Sequence, residues 1–96
     1  GGITCPGNEP NVITVGALNS QATATRADDT VASFSSRGPT YLDNVTKPDV
    51  VAPGNQIISV RAPGSYLDTT FPLNRYDYSI WSSGVDYYRL SGTSMA

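Results

Sequence analysis

Val12-Ile13-Thr14-Val15-Gly16-Ala17 is β-branched and unbroken, the pattern of a short strand covered on both faces. Before it, residues 1–11 (GGITCPGNEPN) carry Gly, Pro and Asn at turn density and read as a loop. After it, Asn19 to Thr30 is polar and predicts an exposed connection. Val31-Ala32-Ser33-Phe34-Ser35 alternates well enough for a strand, which Ser36-Arg37-Gly38-Pro39 ends. Tyr41 to Pro48 is a further loop. Asp49-Val50-Val51-Ala52 is a short apolar strand stopped by Pro53-Gly54, and Gln56-Ile57-Ile58-Ser59-Val60 another, stopped by Ala62-Pro63-Gly64. Residues 65–84 hold aromatics without clean periodicity and read as a surface excursion, and Val85 to Leu90 resumes strand character. No stretch reads as a long amphipathic helix, and no internal repeat is visible. Short strands of the covered type, with few helices to cover them, predict the middle of an α/β domain.

Composition narrows the class. Ninety-six residues suit one small domain, but the hydrophobic fraction of 39% lies below the usual ~45–50%. With 9 Gly and 7 Pro, much of the chain is loop, and its apolar runs are too short and scattered to fill a core of their own. A net charge of −2 with scattered Lys and Arg gives no basic stripe, which argues against nucleic acid. No apolar run approaches ~18 residues, so no membrane span is expected. Cys5, the single cysteine, is expected to be a buried, inert thiol. Asp28-Asp29 on a polar loop reads as solvated rather than metal-binding, since calcium needs six to eight converging oxygens.

The chemistry is concentrated in Ser91-Gly92-Thr93-Ser94-Met95-Ala96. A serine follows a small Gly-Thr turn and precedes Met-Ala, good helix formers, at the point where an extended segment becomes helical. Backbone N–H groups at such a turn face any oxyanion formed beside the hydroxyl. A hydroxyl needs a general base, usually histidine, and the chain has none. If Ser94 is a nucleophile, its base lies outside these residues and the isolated chain is inactive. The plainer alternative is a serine at a helix cap.

Four ordered blocks resemble one family, the subtilisin-like serine proteases. Gly92-Thr93-Ser94-Met95-Ala96 is similar to the family's nucleophile signature letter for letter. Cys5-Pro6-Gly7-Asn8, running into Val12–Ala17, resembles its substrate-pocket loop and following strand. Ser33-Phe34-Ser35-Ser36-Arg37-Gly38-Pro39 resembles its S-F-S-S-x-G segment, and Lys47-Pro48-Asp49-Val50-Val51-Ala52-Pro53-Gly54 its K-P-D-[VI]-x-A-P-G segment. The resemblance implies a three-layer α/β fold with a mostly parallel sheet. Residues 1–96 would be the C-terminal portion of its catalytic domain up to the nucleophile, lacking most helices.

In that family, as in subtilisin, the triad runs Asp, His, Ser, so the resemblance places Asp, His and an oxyanion asparagine before Gly1. It makes Ser94 the nucleophile and a backbone oxyanion donor, with Thr93 supporting the oxyanion at one remove. It makes Gly2, Ile3, Thr4, Cys5 and Gly7, with Ser91 and Gly92, candidate substrate-binding residues. Thr4 near the pocket floor narrows the pocket toward a small or medium apolar side chain, and Cys5-Pro6 is expected to be cis. Asn8 belongs to the later loop and receives no oxyanion role. Asp49 follows the place of the histidine and reads as a structural carboxylate satisfying backbone N–H groups. The aromatic excursion, with Tyr66, Phe71, Tyr76, Tyr78, Trp81, Tyr87 and Tyr88, is expected to pack against helices elsewhere in the protein.

The leading expectation is a serine endopeptidase acting on polypeptides through an acyl-enzyme, with neither nucleic acid nor membrane as partner. No cofactor is identifiable in the chain, and calcium is a candidate only for the whole protein. Family habit implies a secreted or periplasmic location. Two readings compete. A non-catalytic binding module would keep the fold without the triad, and an α/β-hydrolase esterase needs G-x-S-x-G, where Ala96 stands in place of the second glycine.

Overall fold

Hydrogen bonding around Thr14 decides where the first strand begins. In the computed structural model, which describes residues 1–77 and 85–96, the chain forms two compact units. One comprises Gly1–Asn55 with Ser91–Ala96, the other Gln56–Leu90. In the first, strand β1 spans Val15–Asn19, three residues later at its start than the sequence predicts. The Val12 N–H donates within a turn to the Glu9 carbonyl (3.2 Å), and the Val12 carbonyl accepts from the Lys47 ammonium. Neither group is left for a ladder, and Val12 and Ile13 are exposed.

β1 pairs antiparallel with β2 (Thr30–Val31) and parallel with β3 (Val50–Pro53), in the order β2-β1-β3. The parallel register sets Val15 against Val50 and Ala17 against Ala52. Proline ends β3 opposite Leu18, as expected of a residue with no N–H for a ladder. The strand predicted over residues 31–35 stops at Val31. Beyond it the Ser35 N–H turns back to the Ala32 carbonyl (3.0 Å), and the Ser35 hydroxyl accepts from the Ala17 N–H (3.0 Å). The segment therefore serves β1 through a side chain rather than through a ladder.

Ala17, Ala32 and Ser35 are buried together at this point. Replacing Ser35 with alanine leaves a buried N–H unpaired, which costs about 1–3 kcal/mol. Denaturant unfolding of the full-length protein checks this. A loss within the ordinary scatter of surface substitutions, about 0.5 kcal/mol, would show that the bond carries no such weight.

Asp49 is the structural carboxylate the sequence predicts. Its Oδ2 accepts from the buried Lys47 ammonium (2.8 Å) and from the Thr14 N–H (2.7 Å). These two donors, the ammonium first, hold the carboxyl below its usual range. Two of the sequence blocks meet where Gly38 N–H donates to the Lys47 carbonyl (2.9 Å). A Cβ on Gly38 would lie 2.2 Å from that oxygen, so only glycine fits. The Cys5-Pro6, Gly38-Pro39 and Lys47-Pro48 peptides are cis, the first as expected.

The strands predicted at 56–60 and 85–90 are present, and residues 65–77 correct the reading of a surface excursion without regular structure. β4 (Ile57–Val60), β6 (Tyr87–Leu90) and β5 (Arg75–Tyr76) form an antiparallel sheet in the order β4-β6-β5. Helix α1 (Tyr66–Thr70) begins at Ser65, whose hydroxyl accepts from the Asp68 N–H (3.3 Å), and the chain leaves it just before Pro72. Asp68 is buried at the centre of the unit. Its carboxylate accepts from Arg61 Nε (2.6 Å) and Nη2 (2.8 Å), from Arg75 Nε (2.7 Å) and from the Gly64 N–H (2.9 Å). Tyr88, the one buried aromatic among the described residues, donates its hydroxyl to the Leu67 and Phe71 carbonyls at 2.9 and 3.0 Å. Tyr66 and Phe71 are exposed, and Arg89 lies 5.8 Å over the Tyr76 ring. Tyr78 and Trp81 fall outside the described residues.

Among the described residues the predicted parallel pairing thus appears once, between β1 and β3, and the other strand pairs are antiparallel. The described residues form one small mixed sheet and one small antiparallel sheet, with few helices. No helix among them is long and apolar enough to cross a membrane.

Candidate active site

The end of the first unit is built outward from β1. Gly54 N–H donates to the Leu18 carbonyl (3.0 Å), which seats the residue after β3 against the end of β1. The Gly54 carbonyl in turn accepts from the Gly92 N–H (2.8 Å). Gly92 is extended and opens a single 3₁₀ turn, Thr93–Met95, in which Met95 N–H donates to the Gly92 carbonyl (3.0 Å). Ser94 is the middle residue of that turn and is exposed. The cap position belongs to Gly92, and no side chain caps the turn, so Ser94 is not there as a helix cap. Its hydroxyl is presented at the surface by backbone that is itself anchored to the sheet.

The loop of residues 1–11 folds onto the start of β1. Thr14 Oγ1 donates to the Gly7 carbonyl (2.6 Å), and Glu9 N–H closes a turn on the Pro6 carbonyl (3.1 Å). A cavity of about 140 Å³ lies against this loop. Its walls bring together Ile3, Thr4 and Gly7 from the loop with Thr93 beside Ser94, and add Gly16, Ser35 and Pro48 from the sheet side. Of the residues singled out by sequence, Gly2, Cys5, Ser91, Gly92 and Ser94 do not line it. Cys5 is exposed rather than buried, since it sits in the polar loop of residues 1–11 and not in the strand.

Sequence reasoning gave no part to Gly54 and Asn55. Gly54 carries the hydrogen bond to Gly92, and Asn55 Oδ1 accepts from the Ser91 hydroxyl (3.1 Å). Gly54 was legible as the last residue of the K-P-D-[VI]-x-A-P-G block, after a strand-ending proline, but nothing local marked its contact with Gly92. Asp28 and Asp29 lie on the polar connection after β1. Asp28 is engaged by the Thr23 hydroxyl (2.9 Å), and among the described residues no three His, Cys, Asp or Glu side chains converge.

Comparison with known sequences identifies the family. The model of the subtilase family matches residues 2–96, and the chain belongs to that family. Serine protease AprX of Bacillus subtilis (strain 168) is 51% identical over 94 residues, covering 98% of this chain and 20% of AprX. Subtilisin-like proteases SBT4.4 and SBT4.10 of Arabidopsis thaliana are 38% and 41% identical over 81 residues, covering 82% of this chain and 10% of each relative. The chain thus spans between 10% and 20% of the length of these relatives. No solved structure matches it.

Proposed function

We propose that these residues supply the nucleophile and part of the substrate pocket of a subtilisin-like endopeptidase of three-layer α/β architecture. The observation that carries the reading is the seating of Ser94, exposed on a turn tied to β1, next to a cavity walled by Thr93, Ile3, Thr4 and Gly7. In this reading Ser94 Oγ attacks the scissile carbonyl carbon while a histidine from the remainder of the protein takes its proton. The negative charge that develops on the carbonyl oxygen is accepted by the Ser94 N–H and by an asparagine side chain from the same remainder, with Thr93 supporting them. Collapse expels the amine as the histidine returns the proton, and water then frees the acyl group from Ser94 by the reverse steps. The chain has no histidine, so alone it is inactive.

Thr4 on the cavity wall occupies space that a glycine would leave open, and favours a small or medium apolar residue before the scissile bond. Gly2, Cys5, Ser91 and Gly92 complete the substrate-binding set in this reading. The substrate is a polypeptide, and the whole protein works in a secreted or periplasmic setting, as family habit supports.

The test is digestion of a denatured protein by the full-length enzyme, with the new termini mapped by mass spectrometry. Internal cuts after small or medium apolar residues are expected. Trimming confined to chain ends would refute an endopeptidase, and cuts after large aromatic or charged residues would refute the role given to Thr4.

A further inference from the structure

We propose that Gly54 and Asn55 are positioning residues for Ser94, fixing the nucleophile turn through two contacts made just before it. This rests on the nucleophile reading above. Gly54 is held by its own N–H on the Leu18 carbonyl, and its carbonyl receives the Gly92 N–H at 2.8 Å. Gly92 is the residue whose carbonyl then accepts from Met95 N–H and closes the turn around Ser94. The path from sheet to hydroxyl is therefore short and continuous: the end of β1, Gly54, Gly92, the turn, Ser94.

The approach is too close for any side chain. A Cβ on Gly54 would stand 2.8 Å from the Gly92 carbonyl oxygen, 2.8 Å from the Ala17 Cβ and 3.3 Å from the Ala96 Cβ. Gly54 has no positive φ, so glycine is required by this contact rather than by backbone conformation. One residue on, Asn55 Oδ1 accepts from the Ser91 hydroxyl, a second tie beside the first. Displacing the Gly92 carbonyl moves the acceptor on which the turn closes, and Ser94 moves with it. A misplacement of about 1 Å at a reacting group can cost ~10²-fold in rate.

The two obstructions at Gly54 can be separated. Ala17→Gly removes the Ala17 Cβ but leaves the Gly92 oxygen in the way of an alanine at position 54. The experiment compares full-length wild type, Ala17→Gly, Gly54→Ala and the double variant Ala17→Gly/Gly54→Ala. Each is measured for melting temperature, rate of labelling by a fluorophosphonate, and kcat and KM on a peptide substrate. The double variant is expected to melt with Ala17→Gly yet label roughly 10²-fold more slowly, with the loss in kcat and KM unchanged. Labelling of the double variant at the Ala17→Gly rate would overturn the proposal, because only packing against Ala17 would then matter.

Should the double variant fail to fold, Asn55→Ala decides. It leaves every backbone contact intact, and several-fold slower labelling at unchanged melting temperature is expected, restored by Asn55→Asp. Wild-type labelling rates in Asn55→Ala would overturn the proposal. A wild-type protein that is not labelled at Ser94 would overturn the nucleophile reading itself, an outcome distinct from either of these.

Discussion

Replacing Ser94 with alanine in the full-length protein is expected to lower peptidase turnover by about 10⁶-fold, the scale of loss measured for the equivalent change in subtilisin itself. The size follows from what the residue does. Every covalent step of the proposed route passes through its oxygen, and no other hydroxyl is carried on the turn that Gly92 anchors except that of Thr93. Thr93 lines the cavity but cannot take over the attack without moving the turn. Ser94→Ala should leave the fold intact, because the side chain is exposed and caps nothing. Initial rates on a peptide substrate, with the melting temperature as control, check both halves. A residual rate within about 10²-fold of wild type would mean that another group is the nucleophile.

The second large effect is one of stability, at Asp68. Its carboxylate accepts four hydrogen bonds, three of them from two guanidinium groups. Asp68→Ala leaves Arg61 and Arg75 facing one another with no anion between them and removes the acceptor that orders the Gly64 turn. Stripping one partner from such a buried group is among the most damaging single changes. The expected result is the loss of hydrogen-exchange protection across β4 and β6, measured in the inactive Ser94→Ala background so that self-digestion does not intervene. Retained protection there would contradict the role given to Asp68.

The pH dependence follows with a definite sign. The Arg61 guanidinium, and with it the Gly64 N–H and Arg75, holds the Asp68 carboxyl well below the ordinary carboxylate range. A carboxylate depressed on folding contributes its full stabilisation above the unfolded value near pH 4, and that contribution is lost progressively as pH falls toward the folded value. Protection of β4 and β6 should therefore weaken below about pH 4, and Asp68→Asn should flatten that acid limb. A profile of the same steepness in Asp68→Asn would place the titration elsewhere.

What was legible in the sequence was local chemistry repeated in order. The β-branched run 12–17 located the first strand, although side-chain and turn bonds at Val12 and Thr14 delayed its start to Val15. The turn bond is local, to Glu9, but the side-chain bonds come from Lys47 and Asp49, 35 residues away, and no local pattern encodes them. The same reason explains Ser35, whose neighbours alternate like a strand while its hydroxyl is bound to Ala17.

Within the excursion read over 65–84, residues 65–77 were underread for a different reason. Ser65-Tyr66-Leu67-Asp68 followed by Pro72 carries a helix-start signal of the S-x-x-D kind and a stop, but a five-residue helix is too short to show periodicity. The unit is organised by a buried ion cluster rather than by apolar spacing, and such clusters leave no period to read. The Ser94 motif was legible because the chemistry fixes residue identity. Its seat on Gly54 was not, because backbone contacts leave only a glycine as a trace.

The most direct test of the central claim is to treat the full-length protein with a fluorophosphonate and locate the adduct by peptide mass spectrometry. A single adduct on the oxygen of Ser94, absent from Ser94→Ala and from denatured protein, is the predicted result. No adduct on the folded protein, or an adduct on a different serine, would contradict the assignment of Ser94 as the nucleophile.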